Sequence, residues 1–235
     1  KMQKKDNKNK KLRVIVWIYR FVCIALIGTL VFCLKVNADK KNPIIIRQEI
    51  INPNIVMLGD SITDFYDLDK YYGSDKLIVN SGINGNKTSD IINNIRNRVY
   101  AYNPSKIFLL IGVNDILYDD ASSEQVIDQI DIIVNEVKKK LPNTKIYIES
   151  IYPVNNKWKN EHDNSLKDES EVNETIVKTN KLLKQYCLDN DYKYIDVYSS
   201  LTDENNNLDS NYTNDGLHPN GEGYKVITDI LKKYM

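Results

Sequence analysis

Short apolar runs and longer amphipathic segments alternate along the chain from Ile55 onward. The apolar runs are typical of buried strands, and they are IVMLG (55–59), LIVN (77–80), KIFLLIG (106–112), KIYIES (145–150) and YIDV (194–197). The amphipathic segments predict helices at 88–100, at 122–141, over roughly 171–189 and from about residue 222 to the end. Because strands and helices alternate, the predicted fold class is α/β, with about five parallel strands between two layers of helices.

A different pattern precedes this region. Residues 14–34 form an apolar segment, interrupted by Arg20, that as a helix would span about 31 Å and so cross a bilayer. Two interpretations stay open: an uncleaved membrane anchor, or a signal peptide with an apolar core from Phe21 and a cleavage pattern at Val36-Asn37-Ala38. Either one places the rest of the chain outside the cytoplasm, in a membrane-anchored or a secreted form.

The predicted organisation therefore has four parts. A basic head covers residues 1–13, the anchor or signal segment covers 14–34, a linker covers 35–53 and one α/β domain covers 54–235. The head contains six Lys and one Arg against one Asp, so the formally neutral chain carries +6 there and −6 elsewhere. This distribution argues against a nucleic-acid-binding surface on the folded domain.

The three cysteines are not expected to cross-link the α/β domain. Cys23 and Cys33 lie in the apolar segment, which leaves Cys187 alone in the α/β domain. The domain is therefore expected to form no internal disulfide, and no pair of cysteines has the spacing of zinc ligands. Cys187 lies in a helical pattern and is interpreted as a small buried hydrophobic residue. No metal or other cofactor is expected.

Polar and glycine-rich segments follow the predicted strands. They are Gly59-Asp60-Ser61-Ile62-Thr63, NSGINGN (80–86), Gly112-Val113-Asn114-Asp115 and, after the last strand, NDGLHPN (214–220). Because the carboxyl ends of parallel strands meet at one edge of a sheet, these segments are predicted to converge there. Singly, each also fits a helix cap or a turn. Together they supply a nucleophile, hydrogen-bond donors and an acid–base pair.

The four segments resemble, in order, the four sequence blocks of the SGNH hydrolases of the GDSL lipase/esterase superfamily. The resemblance extends from about Asn54 to Met235. It implies a flavodoxin-like, doubly wound sheet with three α/β/α layers. It also implies a serine nucleophile at Ser61 and a catalytic pair formed by Asp215 and His218.

The same resemblance implies an oxyanion hole, formed by the main-chain N–H groups of Ser61 and Gly85 and by the side-chain amide of Asn114. Many relatives have Gly-Gly-Asp where this chain has Asn84-Gly85-Asn86. The departure keeps the glycine that supplies the N–H donor. It is expected to alter the local turn and the wall of the site.

The chemistry of acyl transfer explains these residue types. A serine hydroxyl is a weak nucleophile at pH 7 unless a base removes its proton, and an unperturbed imidazole, which titrates near pH ~6.5, is a suitable base. Asp215 precedes His218 by three residues and is predicted to orient the imidazole through the ring nitrogen that faces away from Ser61. Gly216 and Pro219 are expected to permit and to stiffen the turn between them.

Four further residues lie near these segments. Asp60 and Asp115 are at the predicted edge, where helix capping explains them at least as well as catalysis, and Asp60 is kept as a candidate substrate contact. His162 and Trp158 belong to a polar segment, about 155–171, that is predicted to be a long loop or lid. His162 is expected to be exposed. Trp158 is expected either to pack under its own loop or to contact a sugar ring of the substrate.

The sequence thus predicts an exported or membrane-anchored serine esterase. The external location favours short acyl groups, such as acetyl, on carbohydrates or cell-wall polymers as the substrate. Three alternatives stay open: a lysophospholipase or short-chain lipid esterase, an O-acyltransferase with the same site, and a non-catalytic carbohydrate-binding module. Loss of Ser61, Asn114 or His218 would be typical of the last one, and the chain has all three.

Overall fold

The computed structural model describes residues 55–74, 77–162 and 167–235, all within the compact unit Ile51–Met235. The predicted basic head, the anchor or signal segment and the linker lie outside the described residues, so the N-terminal helix stays a prediction. In the part of the chain that is described, no helix combines the length and the apolar character needed to cross a bilayer.

Five parallel strands form one sheet, which confirms the predicted α/β class. They are β1 (Ile55–Gly59), β2 (Ile78–Gly82), β3 (Lys106–Leu110), β4 (Lys145–Glu149) and β5 (Lys193–Ile195). Their order across the sheet is β2-β1-β3-β4-β5, and every neighbouring pair is parallel. This is the flavodoxin-like order, in which the winding direction reverses between β1 and β3.

Helices of very different lengths connect the strands. They are α1 (Ser61–Asp64), α2 (Leu68–Tyr72), α3 (Thr88–Ile95), α4 (Val113–Asp119), α5 (Ser123–Lys140), α6 (Asn156–His162), α7 (Glu169–Asp189), α8 (Tyr198–Leu201) and α9 (Gly221–Leu231), with a π-helix at Arg96–Tyr100 and a 3₁₀ helix at Lys232–Tyr234. The four predicted helices are confirmed as α3, α5, α7 and α9, although the predicted helix at 88–100 ends in the π-helix. The other five helices were missed, because segments of four to seven residues are too short to show an apolar period.

The apolar positions of helix α5 form its buried face. Ser122 caps its start: the Ser122 hydroxyl accepts from Gln125 N–H at 3.2 Å, and the Gln125 side chain accepts from Ser122 N–H at 2.8 Å. The large side chains that the helix buries are Val126, Ile130, Ile133, Val134 and Val137. Each contributes roughly 1.5–3 kcal/mol when fully buried. Helix α5 packs between α3 and α7, and this layer supports the sheet.

Cys187 lies on α7 and is buried, as the sequence analysis predicted. Burial raises the pKa of its thiol to about 12. A thiol that stays protonated is a poor nucleophile and a poor metal ligand, so Cys187 serves packing.

The register of the three central strands decides where the functional segments lie. Gly59 at the end of β1 pairs with Gly82 of β2 on one side and with Leu110 of β3 on the other. The segments that follow these strands therefore leave the sheet at the same level. A Cβ at Gly59 would lie 2.1 Å from Thr63 Oγ1 and 2.5 Å from the Leu110 carbonyl oxygen, so the tight passage from β1 into α1 requires glycine.

A buried carboxyl group ends β4. Glu149 is 4% exposed, and its Oε2 accepts a 2.5 Å hydrogen bond from the Tyr152 hydroxyl. Burial raises the pKa of Glu149 from 4.5 to about 7, although the hydrogen bond from Tyr152 opposes the shift. Between these two values the folded protein keeps a proton that the unfolded chain has released. Glu149 therefore lowers the free energy of unfolding as the pH rises through this window.

We expect Glu149→Gln to remove this pH dependence. Glutamine keeps an acceptor for Tyr152 but has no proton to lose, so the variant should gain roughly 1–3 kcal/mol of stability relative to wild type between pH 5 and pH 8. Urea unfolding of both proteins at the two pH values measures the gain. A difference between variant and wild type that is the same at both values would contradict the raised pKa.

Candidate active site

Ser61 is the first residue of helix α1, directly after β1. The Asp60 side chain caps this helix by accepting a 2.9 Å hydrogen bond from Ile62 N–H. The Ser61 N–H lies in the first turn, where N–H groups have no acceptor within the helix and so can donate to a ligand. The strand, the cap and the helix together fix Ser61 at the edge where β1 ends.

The structure brings Ser61, Asp215 and His218 together. His218 Nε2 lies 2.9 Å from Ser61 Oγ, although the two residues are 157 positions apart in the chain. Asp215 Oδ2 lies 2.7 Å from Nδ1 of the same ring. Both are hydrogen-bond distances, so the imidazole connects a hydroxyl on one side to a carboxylate on the other. With Nδ1 donating to the carboxylate, Nε2 is the acceptor that faces the serine.

Hydrogen bonds hold the Asp215 carboxylate in place and keep it ionised. Its Oδ1 accepts from Leu217 N–H at 2.9 Å and from His218 N–H at 2.8 Å. Partial burial alone would raise the pKa of Asp215, but these two bonds and the bond to the His218 ring outweigh burial and hold the pKa below its ordinary value. Asp215 is therefore a carboxylate at neutral pH, which is what orienting an imidazole requires.

Thr213 shapes the turn that carries this pair, and the sequence analysis did not select it. The Thr213 hydroxyl donates to the His218 carbonyl oxygen at 2.8 Å and accepts from Gly216 N–H at 2.9 Å. Gly216 has a φ of +91°, which favours glycine, and Thr213 also pairs with Pro219 across the turn. A threonine at the start of a turn is a known hydroxyl-to-main-chain motif, so the sequence contained a signal for this role.

Two aromatic side chains contact the His218 ring. The Phe65 ring centroid lies 5.0 Å from the imidazole centroid, and the Trp158 ring lies 5.4 Å away at an interplanar angle of 83°. Trp158 is 9% exposed and its indole packs edge-on against the imidazole, which agrees with the packing alternative, and the contact with a sugar ring stays a prediction. Phe65 is 49% exposed and is the aromatic surface beside His218 that a ligand can reach, a residue that the sequence analysis overlooked.

The segment predicted as a long loop, about 155–171, is partly helical. Helix α6 occupies much of its first half, and α7 begins at Glu169. The Asn155 side chain accepts from Lys157 N–H at 3.1 Å at the start of α6, and Asn155 N–H donates to the Gly216 carbonyl oxygen at 2.9 Å. The helix start is therefore attached to the turn that carries His218. His162 is the last residue of α6, so its predicted placement in a loop is wrong.

Two of the predicted oxyanion-hole residues, Gly85 in the loop after β2 and Asn114 on α4, lie on segments that contact each other. Gly85 is exposed and has a φ of +74°, and no atom lies within 4 Å of the position that its Cβ would take. Asn114, on α4, is 2% exposed, and its Nδ2 donates to the Asn86 carbonyl oxygen at 2.9 Å. A side-chain amide has two N–H donors, so a second one remains for a ligand oxygen. The loop that carries Gly85 thus also holds the Asn114 amide.

The two acids at the site edge are structural. Asp115 accepts hydrogen bonds from Thr88 N–H and, at 2.5 Å, from the Thr88 hydroxyl, so it caps the start of α3. Asp60 caps α1 and is 0% exposed, and burial raises its pKa to about 7. The expectation that Asp60 contacts substrate is therefore wrong, because a fully buried side chain offers no surface to a ligand. Capping, the other expectation for both acids, is confirmed.

A parallel α/β sheet with Ser, His and Asp in hydrogen-bond contact at the strand ends is typical of a serine-type hydrolase. Comparison with protein families agrees with this class. The model of the GDSL-like lipase/acylhydrolase family matches residues 57–226, which is more than half of the chain. The chain therefore belongs to this family of lipases and acylhydrolases.

Individual relatives support the fold. A solved structure from Streptococcus pneumonia, assigned as a platelet activating factor, is 29% identical, has a TM-score of 0.71 and is matched over 91% of this chain and 98% of that chain. A GDSL-like lipase from Bacteroides thetaiotaomicron is 21% identical, with a TM-score of 0.67 over 78% of this chain and 87% of that one. At that identity the likeness concerns the fold alone.

A curated relative is longer than this chain. The N-acylneuraminate cytidylyltransferase of Escherichia coli O18:K1:H7 is 29% identical over 181 residues, which are 76% of this chain and 39% of the relative. The chain thus spans about two fifths of that protein's length.

Gly216→Ala should disrupt the turn that carries His218. A Cβ at Gly216 would lie 2.4 Å from Asn155 Oδ1 and 2.5 Å from the Trp158 main-chain nitrogen, and the φ of +91° strains any other residue. We expect the free energy of unfolding to fall by at least about 1 kcal/mol and ester turnover to fall by at least about tenfold. Urea unfolding and an ester-hydrolysis assay measure the two effects.

Gly221→Ala is the matched control. A Cβ at Gly221 would meet no atom within 4 Å, and alanine is favourable in helix α9. We expect wild-type turnover and equal or slightly higher stability. Equal losses in the two variants would contradict the special role of the Gly216 turn.

Proposed function

We propose that the enzyme cleaves its ester through an acyl-enzyme on Ser61, with His218 as general base and Asp215 as the residue that orients the imidazole. The observation that carries this proposal is the continuous contact from Ser61 Oγ to His218 Nε2, at 2.9 Å, and from His218 Nδ1 to Asp215 Oδ2, at 2.7 Å. An imidazole between a serine hydroxyl and a carboxylate activates the serine for attack on a carbonyl.

The proposed reaction has two halves. Ser61 Oγ attacks the ester carbonyl carbon while His218 Nε2 takes the hydroxyl proton, which gives a tetrahedral intermediate and an imidazolium beside Asp215. The C–O bond to the alcohol then breaks, and His218 returns the proton to the departing alcohol. In the second half, His218 takes a proton from water, the water oxygen attacks the acyl-enzyme, and the acid leaves as Ser61 regains its proton.

We assign the stabilisation of the intermediate to three donors. They are the main-chain N–H groups of Ser61 and Gly85 and the side-chain amide of Asn114. The first lies at the start of a helix, the second lies in an exposed loop, and the third is fixed by its bond to Asn86. Donors that are in place before the reaction stabilise the developing oxyanion without a reorganisation of its surroundings.

The proposed substrates are short acyl esters, acetyl above all, on carbohydrates or cell-wall polymers. Phe65 supports this proposal. His218 gives its proton to the departing alcohol, so the ring beside His218 lines the alcohol side of the site, and Phe65 offers a half-exposed flat apolar face there. The name of one relative, N-acylneuraminate cytidylyltransferase, refers to a sugar and supports the carbohydrate part of this proposal.

The proposed place of action is outside the cytoplasm. The support comes from the basic head and the apolar segment 14–34, which predict export whether or not the segment is cleaved. Polymers at the cell surface are the esters that an exported enzyme meets.

A lipid ester is the second candidate. The name of the matched family includes lipases, and Phe65 would suit an apolar alcohol equally well. An O-acyltransferase would use the same residues, with an alcohol in place of water in the second half. A non-catalytic carbohydrate-binding module has the least support, because Ser61, Asp215 and His218 are in contact.

A substrate panel tests the function. We expect the purified protein to hydrolyse chromogenic acetate esters faster than butyrate and octanoate esters, and to release acetate from acetylated xylan or peptidoglycan. Ser61→Ala should abolish all of these activities. Equal turnover by wild type and Ser61→Ala would overturn the proposed mechanism, and a preference for lysophospholipid over the acetylated polymers would favour the lipid candidate.

Asn114→Ala should slow the chemical step without unfolding the protein. Removal of one oxyanion donor lowers turnover by about 100-fold or more, because each donor contributes roughly 2.7–4 kcal/mol to the transition state. Steady-state kinetics with an acetate ester, compared with urea unfolding of the same variant, separates the two effects. Near wild-type turnover in folded Asn114→Ala would exclude this residue from the oxyanion hole.

A further inference from the structure

Arg98 is a buried cation close to the site. It lies on the π-helix that follows α3 and is 4% exposed, which is rare for arginine. Burial lowers the pKa of the guanidinium, which nevertheless stays charged at neutral pH. A buried guanidinium needs hydrogen bonds that replace its lost hydration. The groups that accept hydrogen bonds from Arg98 are therefore the groups that it holds in place.

The guanidinium connects three segments of the site edge. Nη2 donates to the Gly59 carbonyl oxygen at 2.7 Å and also to the Ser81 carbonyl oxygen, and Nη1 donates to Asn86 Oδ1 at 2.6 Å. The Ser81 hydroxyl returns a 3.0 Å hydrogen bond to the Arg98 carbonyl oxygen. Arg98 thus joins the end of β1, the strand β2 near its end and the loop that follows β2.

Two of these partners are directly linked to the proposed oxyanion donors. Gly59 precedes Ser61 by two residues, and Asn86 follows Gly85 directly. The Asn86 carbonyl oxygen accepts the 2.9 Å hydrogen bond from Asn114. A shift of Asn86 would therefore move two donors at once, one through the chain and one through a hydrogen bond.

We propose that Arg98 is a positioning residue that fixes the oxyanion hole through Gly59 and Asn86. The inference rests on the proposed function, because it takes the three donors named there as the oxyanion hole. The planar guanidinium of Arg98 holds three oxygens, those of Gly59, Ser81 and Asn86, in fixed relative positions. A lysine ammonium carries the same charge but lacks this planar fork.

The proposed role predicts a specific kinetic signature. Oxyanion donors stabilise the transition state more than the bound ester, so their displacement lowers kcat and leaves KM nearly unchanged. A residue that supports the fold in general would instead lower the fraction of active molecules. It would leave the kcat of each active molecule as it was.

Arg98→Lys is the first test. We expect kcat per active site to fall by about 10- to 100-fold while KM changes by less than about threefold. The number of active sites is counted by the end point of labelling with a fluorophosphonate, so unfolded molecules do not enter kcat. Arg96→Lys is the control, since Arg96 is exposed on the same π-helix and should keep wild-type kinetics. Wild-type kcat per labelled site in Arg98→Lys would overturn the proposal.

A second pair of variants keeps Arg98 in place, and so it serves even if Arg98→Lys does not fold. Asn86→Ala removes the acceptor of Nη1 but keeps the carbonyl oxygen that holds Asn114, and we expect the same loss in kcat. Asn86→Asp keeps an acceptor for the guanidinium and should recover most of that loss. Equal kcat per labelled site in Asn86→Ala and wild type would overturn the proposal, as would equal losses in the alanine and aspartate variants.

Ser61→Ala separates this inference from the proposed function. If Ser61→Ala keeps turnover, the proposed function fails and the role of Arg98 falls with it. If Ser61→Ala is inactive while the Arg98 and Asn86 variants behave as wild type, the positioning role alone fails.

Discussion

The register of β1 between β2 and β3 is the constraint on which the site depends. Because Gly59 pairs with both Gly82 and Leu110, the segments that follow these three strands begin at one level of the sheet. These segments carry the serine, the glycine and the asparagine of the site. The buried apolar face of α5 and its neighbours keeps the sheet in place, so the spacing of a few polar groups rests on a large hydrophobic core. Only the turn with Asp215 and His218 comes from elsewhere in the chain.

The loops themselves are held by buried polar groups. Asp60 and Asp115 cap two helices at the edge, and the Arg98 guanidinium connects the strand ends behind them. Asn86 stands where many relatives have aspartate. Its Oδ1 accepts from Arg98, a bond that an aspartate oxygen accepts equally well, so the departure from the family pattern preserves this contact. Side chains that take no part in the proposed chemistry thus organise the site.

The sequence predicted the features that depend on local spacing. Strand β1 was predicted at its observed bounds, and the contact between Asp215 and His218 followed from their three-residue separation within one turn. Features that depend on tertiary packing were harder to predict from the sequence. The sequence left two alternatives open for Trp158 and predicted no role for Phe65, because exposure is decided by segments distant in sequence. No role was predicted for Arg98, since one of its partners, Gly59, lies 39 positions away in the chain.

The long separation of Ser61 and His218 has a consequence for the life of the protein in the cell. The ribosome completes the nucleophile 157 residues before the base, and the intervening chain contributes β2 to β5. Under the proposed mechanism, a nascent or truncated chain that lacks the last loop has a serine with no base to accept its proton. That mechanism therefore makes hydrolysis depend on the final segment, which must fold onto the sheet before the enzyme is active.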